Sequence, residues 1–199
     1  MRILILSGFL GSGKTTLLMQ LARRMAGGAA DGSPYQVVIL ENEAGEAGVD
    51  DRLLRSSGFQ VENLFAGCAC CTVGGELIQA VTFLEEEYDP NWLILETTGL
   101  AYPGLIRENL REALGKESRI CTVVDASRWE RLKGPLAALL NGQIGCADVL
   151  LVNKTDLAGE EKAGSCLRDV RERNSRAAAM CISAAGTIPE ELWEKVLEE

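Results

Sequence analysis

Gly8-Phe9-Leu10-Gly11-Ser12-Gly13-Lys14-Thr15 satisfies G-x-x-x-x-G-K-[ST] at every fixed position. The glycines at 8, 11 and 13 let the backbone curl so that successive N–H groups, that of Ser12 among them, face phosphate oxygens. Lys14 would then reach the β- and γ-phosphates of a nucleotide, and the Thr15 hydroxyl would bind Mg²⁺. Farther along, Asn153-Lys154-Thr155-Asp156 offers a carboxylate that can accept from both N1–H and N2–H of guanine. Adenine has no such pair, and burying Asp156 against it would leave a charge without a partner, so the pattern favours GTP over ATP. Asn153 can bridge the base and the phosphate loop, the Lys154 stem can cover the ring, and Ser183-Ala184 stand where a backbone N–H would meet guanine O6. In Glu96-Thr97-Thr98-Gly99, the carboxylate can hold a Mg²⁺-bound water and the Gly99 N–H can meet the γ-phosphate without a clashing side chain. The acidic stretch 42–51 reads as a switch loop. Either Glu41, as a Mg²⁺ contact, or Glu43, as a catalytic contact, faces the metal–phosphate site, and spacing leaves that choice open.

A second chemistry sits between these motifs. Cys68, Cys70 and Cys71 fall within four residues. In an extended segment Cys68 and Cys70 point to one face, and a turn can bring in Cys71. Three thiolates make a soft site suited to Zn²⁺, Cu⁺ or Co²⁺, completed by a carboxylate or a water. Cys121, Cys146, Cys166 and Cys181 are dispersed, and are expected to be buried structural cysteines. The chain has no histidine. Ser–His–Asp and Cys–His catalysis and His-ligated zinc are therefore excluded.

These residues need a scaffold, and 199 residues suit one domain. With 20 basic against 29 acidic side chains the net charge is −9, which argues against a nucleic-acid or anionic-membrane surface. No apolar run approaches the roughly 20 residues of a bilayer helix. With the bunched cysteines, this leads to the expectation of a soluble protein in the reducing cytoplasm. Apolar runs at Ile3–Ser7, Gln36–Glu41, Gln60–Phe65, Trp92–Glu96, Arg119–Asp125, Asp148–Asn153 and Ala178–Ser183 read as strands, several without polar alternation, as in parallel strands covered on both faces. Helical patterns run over Lys14–Met25, Gly75–Tyr88, Tyr102–Leu114, Trp129–Leu140, Glu160–Arg173 and Pro189–Glu198, the last capped near Thr187 with Pro189 in its first turn. The alternation predicts a three-layer α/β/α P-loop NTPase fold with a mostly parallel sheet. Gly27–Pro34 reads as a loop.

The phosphate loop extended to Thr16, Glu41-Asn42-Glu43-Ala44-Gly45-Glu46, the C-x-C-C of Cys68–Cys71, Glu96-Thr97-Thr98-Gly99-Leu100-Ala101, Val124-Asp125-Ala126 and Asn153-Lys154-Thr155-Asp156 occur in one order over nearly the whole chain. In this the sequence resembles the CobW-like GTPases, of the group that includes the HypB and UreG metallochaperones. The resemblance implies a P-loop GTPase that hydrolyses GTP slowly and places Thr16 among the nucleotide contacts. It further implies transition-metal binding at the C-x-C-C, with metal delivery to a client metalloprotein or a corrinoid-pathway protein, and a nucleotide-dependent homodimer. Members commonly carry a C-terminal domain and often a histidine-rich stretch. The expectation here is a single GTPase domain, 1–199, with neither. Two other readings share the motifs. One is a small-molecule kinase with Arg107 and Arg111 as candidate lid arginines, and the other is a metal sensor with GTP as an allosteric ligand.

Overall fold

Strands β1 (Arg2–Ser7), β2 (Val37–Glu41), β3 (Gln60–Asn63), β4 (Trp92–Glu96), β5 (Ser118–Asp125), β6 (Val149–Asn153) and β7 (Ala178–Cys181) form one sheet in the order β3-β2-β4-β1-β5-β6-β7 in a computed structural model of the chain. The structure describes residues 1–26, 37–41, 60–63 and 73–198. The two segments expected to be loops, Gly27–Pro34 and 42–51, lie outside them, as does the cysteine cluster. Every pairing between the described strands is parallel.

The helices are α1 (Lys14–Ala26), α2 (Val73–Tyr88), α3 (Pro103–Leu114), α4 (Trp129–Leu132), α5 (Ala137–Gly145), α6 (Thr155–Ala158), α7 (Glu160–Arg173) and α8 (Glu190–Leu197). Because side chains alternate across a strand, Ile3 and Ile5 join one core while Leu4 and Leu6 join the other. The first core takes Leu77, Val81 and Leu84 of α2, Leu110 of α3, Leu140 and Ile144 of α5 and Val170 of α7. The second takes Leu17, Leu18 and Leu21 of α1 and Trp193 and Val196 of α8. Two apolar faces, each roofed by helices, give the three expected layers.

Three elements differ from expectation. The single helix expected over Trp129–Leu140 is two, α4 and α5, because Gly134-Pro135 interrupts it. Pro135 has no N–H for an i→i−4 bond and disfavours helical backbone at the residue before it. A one-turn helix, α6, follows Lys154, and the spacing of apolar residues gives no sign of so short an element. At α8, Pro189 stands at the N-cap rather than in the first turn, and no side chain caps that end.

β1 lies between β4 and β5: the connection from β1 runs to β2 on one side, and the later connection from β4 crosses β1 to β5 on the other. Ligands of open α/β sheets bind at such a switch point, outside the carboxyl ends of the strands. Ile5 is fully buried at the centre of this arrangement. Ile5→Ala should lower unfolding free energy by about 3 kcal/mol, inside the ~2–5 kcal/mol of Ile→Ala cavities. Urea unfolding should show this as a lower midpoint with an unchanged m-value.

Candidate nucleotide site at the carboxyl edge of the sheet

The strands β1, β2, β4, β5 and β6 end on Ser7, Glu41, Glu96, Asp125 and Asn153, which places these five polar residues on one edge. In the β2–β4 register Glu41 pairs with Glu96, so both carboxylates leave the same face of the sheet. Thr15, in the first turn of α1, donates from Oγ1 to Glu96 Oε1 at 3.0 Å. An ion on the Thr15 hydroxyl would therefore have a carboxylate within reach of its bound water, the arrangement Mg²⁺ needs. Glu96 is 5% exposed and Lys14 8%. The Lys14 ammonium donates to the Gly8 carbonyl at 3.0 Å, which folds it back over the loop. Ser12 Oγ and Thr97 Oγ1 are buried without a hydrogen-bond partner among the described residues, and a phosphate or its hydration shell supplies what such hydroxyls lack. Thr16, in contrast, is exposed on α1.

The phosphate loop can hold its shape only with glycine at its bends. Gly13 has φ +102°, and a Cβ there would overlap Asn153 Nδ2. A Cβ at Gly99 would stand 2.5 Å from the Leu10 N atom, so the Glu96–Gly99 segment lies directly against the loop.

The 153–156 motif contacts the loop through Asn153, as expected, and also through Lys154. Asn153 Nδ2 donates to the Ser12 carbonyl at 2.8 Å, and its Oδ1 accepts from the Ala184 N–H at 2.8 Å. Lys154 Nζ donates to the Gly11 carbonyl at 2.6 Å. Lys154 itself adopts φ 63°, an uncommon backbone for a residue with a Cβ and one that recurs at functional turns. Asp156 is exposed and accepts from Ser183 Oγ, next to Ala184 in the chain, at 2.6 Å.

Three further participants complete the site: Arg128 and Gln143, which the sequence reading does not single out, and Asp125, which enters it only within Val124-Asp125-Ala126 and without a role. Asp125, 4% exposed, accepts from the Ser127 N–H, Ser127 Oγ, the Arg128 N–H, Arg128 Nε and Lys154 Nζ. Burial pushes its pKa up, but the hydrogen bonds from Lys154, Ser127 and Arg128 prevail and hold it below its ordinary value near 3.8. Arg128 Nη2 donates to the Leu10 carbonyl at 2.6 Å. Gln143, 1% exposed on α5, donates from Nε2 to the Gly99 and Ala101 carbonyls at 3.1 and 3.0 Å. An apolar strand ending in Asp, like those ending in Glu96 and Asn153, was a signal for Asp125. Gln143 had none, because a glutamine in an apolar helix looks like a surface position.

Other expectations fare differently. Cys68, Cys70, Cys71 and Glu43 lie outside the described residues. The dispersed cysteines divide: burial pushes the thiols of Cys121 and Cys166 up to about 12, which keeps them protonated, whereas Cys146 is half-buried and Cys181 exposed, contrary to expectation. Arg107, a candidate lid arginine, pairs with Asp148, which precedes β6 at the opposite edge of the sheet from the phosphate loop.

The model of the CobW/HypB/UreG nucleotide-binding domain matches residues 2–181. The chain belongs to this family. Among curated CobW/HypB/UreG relatives, the zinc chaperone YjiA of Escherichia coli is 34% identical over 168 residues, 79% of this chain and 50% of that protein. The zinc chaperone CobW of a Sinorhizobium species is 30% identical over 216 residues, 92% of this chain and 59% of that protein. The chain thus spans about half the length of these relatives. HypB from Helicobacter pylori, solved in complex with nickel, shares the fold at a TM-score of 0.66 and 18% identity, over 100% of this chain and 83% of that one. Among the described residues no helix is long and apolar enough to cross a membrane.

The Asp156 geometry sets a test of base choice. Asp156→Asn replaces one acceptor oxygen with a donor, which suits the C2 carbonyl of xanthine and opposes the guanine amino group. The variant should lose GDP affinity by roughly tenfold or more and gain affinity for xanthosine diphosphate, as read by nucleotide titration. The Asp125 shift sets a second. A carboxyl with a depressed folded pKa stabilises above its unfolded value and loses that contribution as pH falls through the folded value. Melting temperature should therefore fall below about pH 3.8 less steeply in Asp125→Asn than in the parent chain.

Proposed function

We propose that this is a GTP-hydrolysing metallochaperone domain that couples its nucleotide state to transition-metal binding at Cys68, Cys70 and Cys71. The observation that carries the nucleotide half is the bracing of the phosphate loop by Asn153, three residues before Asp156, which Ser183 holds, because this joins phosphate binding to a guanine-selecting carboxylate. Lys14 would bind the β- and γ-phosphates, Thr15 would hold Mg²⁺, and Glu96, with Glu41 beside it in register, would hold the metal's water. Bound Mg²⁺ supplies charge neutralisation at the phosphates. The Gly99 N–H would meet the γ-phosphate, with Glu43 as the proposed contact from the neighbouring segment. Hydrolysis is slow without a partner, since positioning and charge stabilisation supply nearly all the catalysis.

The metal half is supported by the zinc-chaperone names of the curated relatives and by topology. β3 runs parallel to β2 and ends at Asn63 on the edge that carries Glu41 and Glu96, and Cys68 follows five positions later. The cargo is a thiophilic ion, Zn²⁺ or Co²⁺, passed to a client metalloprotein or a corrinoid-pathway protein. The domain acts in the cytoplasm, with no nucleic-acid or membrane partner, and a nucleotide-dependent homodimer fits the same scheme. The kinase reading loses Arg107 to the far edge of the sheet.

The test is an anaerobic titration of reduced protein with Zn²⁺ and Co²⁺ in the presence of Mg²⁺ with GTP, GDP or neither. Tighter binding with GTP, reported by thiolate-to-Co²⁺ charge-transfer absorbance, supports coupling. Equal affinity in all three states favours the sensor reading. Lys14→Ala should abolish GTP binding and spare metal binding without nucleotide. Cys70→Ser should weaken Zn²⁺ binding by more than roughly tenfold, the low end of what loss of even an outer metal partner costs, and spare GTP.

A further inference from the structure

A backbone nest that turns its N–H groups toward an anion turns its carbonyls outward, and each outward carbonyl needs a donor. Here three consecutive carbonyls of the phosphate loop have one each: Arg128 Nη2 on Leu10, Lys154 Nζ on Gly11 and Asn153 Nδ2 on Ser12. Two of the three donors are cations held by one buried anion, since Arg128 Nε and Lys154 Nζ reach Asp125 Oδ2 at 2.7 and 2.9 Å. Arg128 is also fitted to the loop from above. Its guanidinium lies 6.0 Å from the Phe9 ring centroid, and Nη2 is 3.2 Å from where a Cβ on Gly11 would stand. Gly11, at φ +70°, leaves the space that the guanidinium fills.

We propose that Asp125 and Arg128 are positioning residues for diphosphate binding: Asp125 fastens Arg128 and Lys154 over the phosphate loop, and their bonds to the Leu10 and Gly11 carbonyls fix its N–H groups toward the nucleotide. This rests on the nucleotide-site reading above and adds to it a clamp from the β5 strand end. The Asn153 and Lys154 contacts come with the base-recognition motif. Arg128 closes the loop's outer side, and Asp125 makes the two cations act as a unit. Charge-assisted bonds of this kind are strong enough for one lost donor to be visible in affinity.

The test is titration with fluorescent GDP, with Mg²⁺, of the wild type and of Arg128→Ala, Arg128→Lys, Asp125→Asn and the double variant Asp125→Asn/Arg128→Ala, at a temperature well below each variant's melting point. Arg128→Ala should raise the GDP Kd by about tenfold, and Arg128→Lys, which keeps one cationic donor, should recover most of it. Asp125→Asn should cost at least as much, and the double variant no more than Asp125→Asn alone, because the two residues form one clamp. A GDP Kd for Arg128→Ala within about twofold of wild type overturns the proposal, as do additive losses in the double variant. If Asp125→Asn does not fold, the Ala and Lys variants of half-buried Arg128 decide. A wild type that binds no GDP overturns the nucleotide-site reading, and the clamp with it.

Discussion

A phosphate loop presents donors to its ligand only if something else holds its carbonyls, and most of the architecture at the carboxyl edge answers that need. The holding groups come from the carboxyl ends of β5 and β6 and the residues just after them, remote in sequence from the loop. They reach it because the sheet order sets β5 beside β1 and β6 beside β5. Gly8, at φ +142°, runs so close to the Val123 carbonyl that no side chain would fit between them. Loop shape is thus a property of the sheet order as well as of the glycines.

Among the described residues, the same edge concentrates the buried charge: Lys14, Glu96 and Asp125. Removing a carboxylate such as Asp125 from water is costly, and five donors converge on it to offset that cost. The exposed pairing of Lys133 with Glu130 has no such burial, and pairs of that kind contribute little to stability. Where the interior has no ionic partner to offer, ionisation is suppressed instead, as burial does to the thiols of Cys121 and Cys166. Those cysteines behave as small apolar residues, chemically distinct from a thiolate ligand.

The segment expected to sense the γ-phosphate is tied on two sides. Gly99 abuts Leu10 of the phosphate loop, while Gln143 of α5 binds the Gly99 and Ala101 carbonyls. The Tyr102 ring lies against Gly142, where a Cβ would stand 2.6 Å from Cε1. Movement of this segment on nucleotide exchange would therefore be felt at α5, through two hydrogen bonds and one close packing contact.

All seven strand positions and the phosphate, base and carboxylate motifs could be read from the sequence, because each rests on local chemistry. A buried parallel strand needs a continuous apolar run, a nest needs glycines, and a guanine-selecting turn needs its Asn and Asp. Local chemistry was insufficient for the break between α4 and α5, where a helical apolar pattern crosses Gly134-Pro135 and the proline prevails. It could not reveal Gln143, whose two bonds exist only because α5 packs beside the 97–102 segment. Nor could it join Asp125 to Arg128 and Lys154 over the loop, since Arg128 and Leu10 are 118 positions apart in the chain. The amino-acid sequence determined which groups are the candidates for phosphate, guanine and metal. Tertiary structure decided which of them meet, because a carbonyl turned away from its own segment finds its donor only on strands that the sheet order brings alongside.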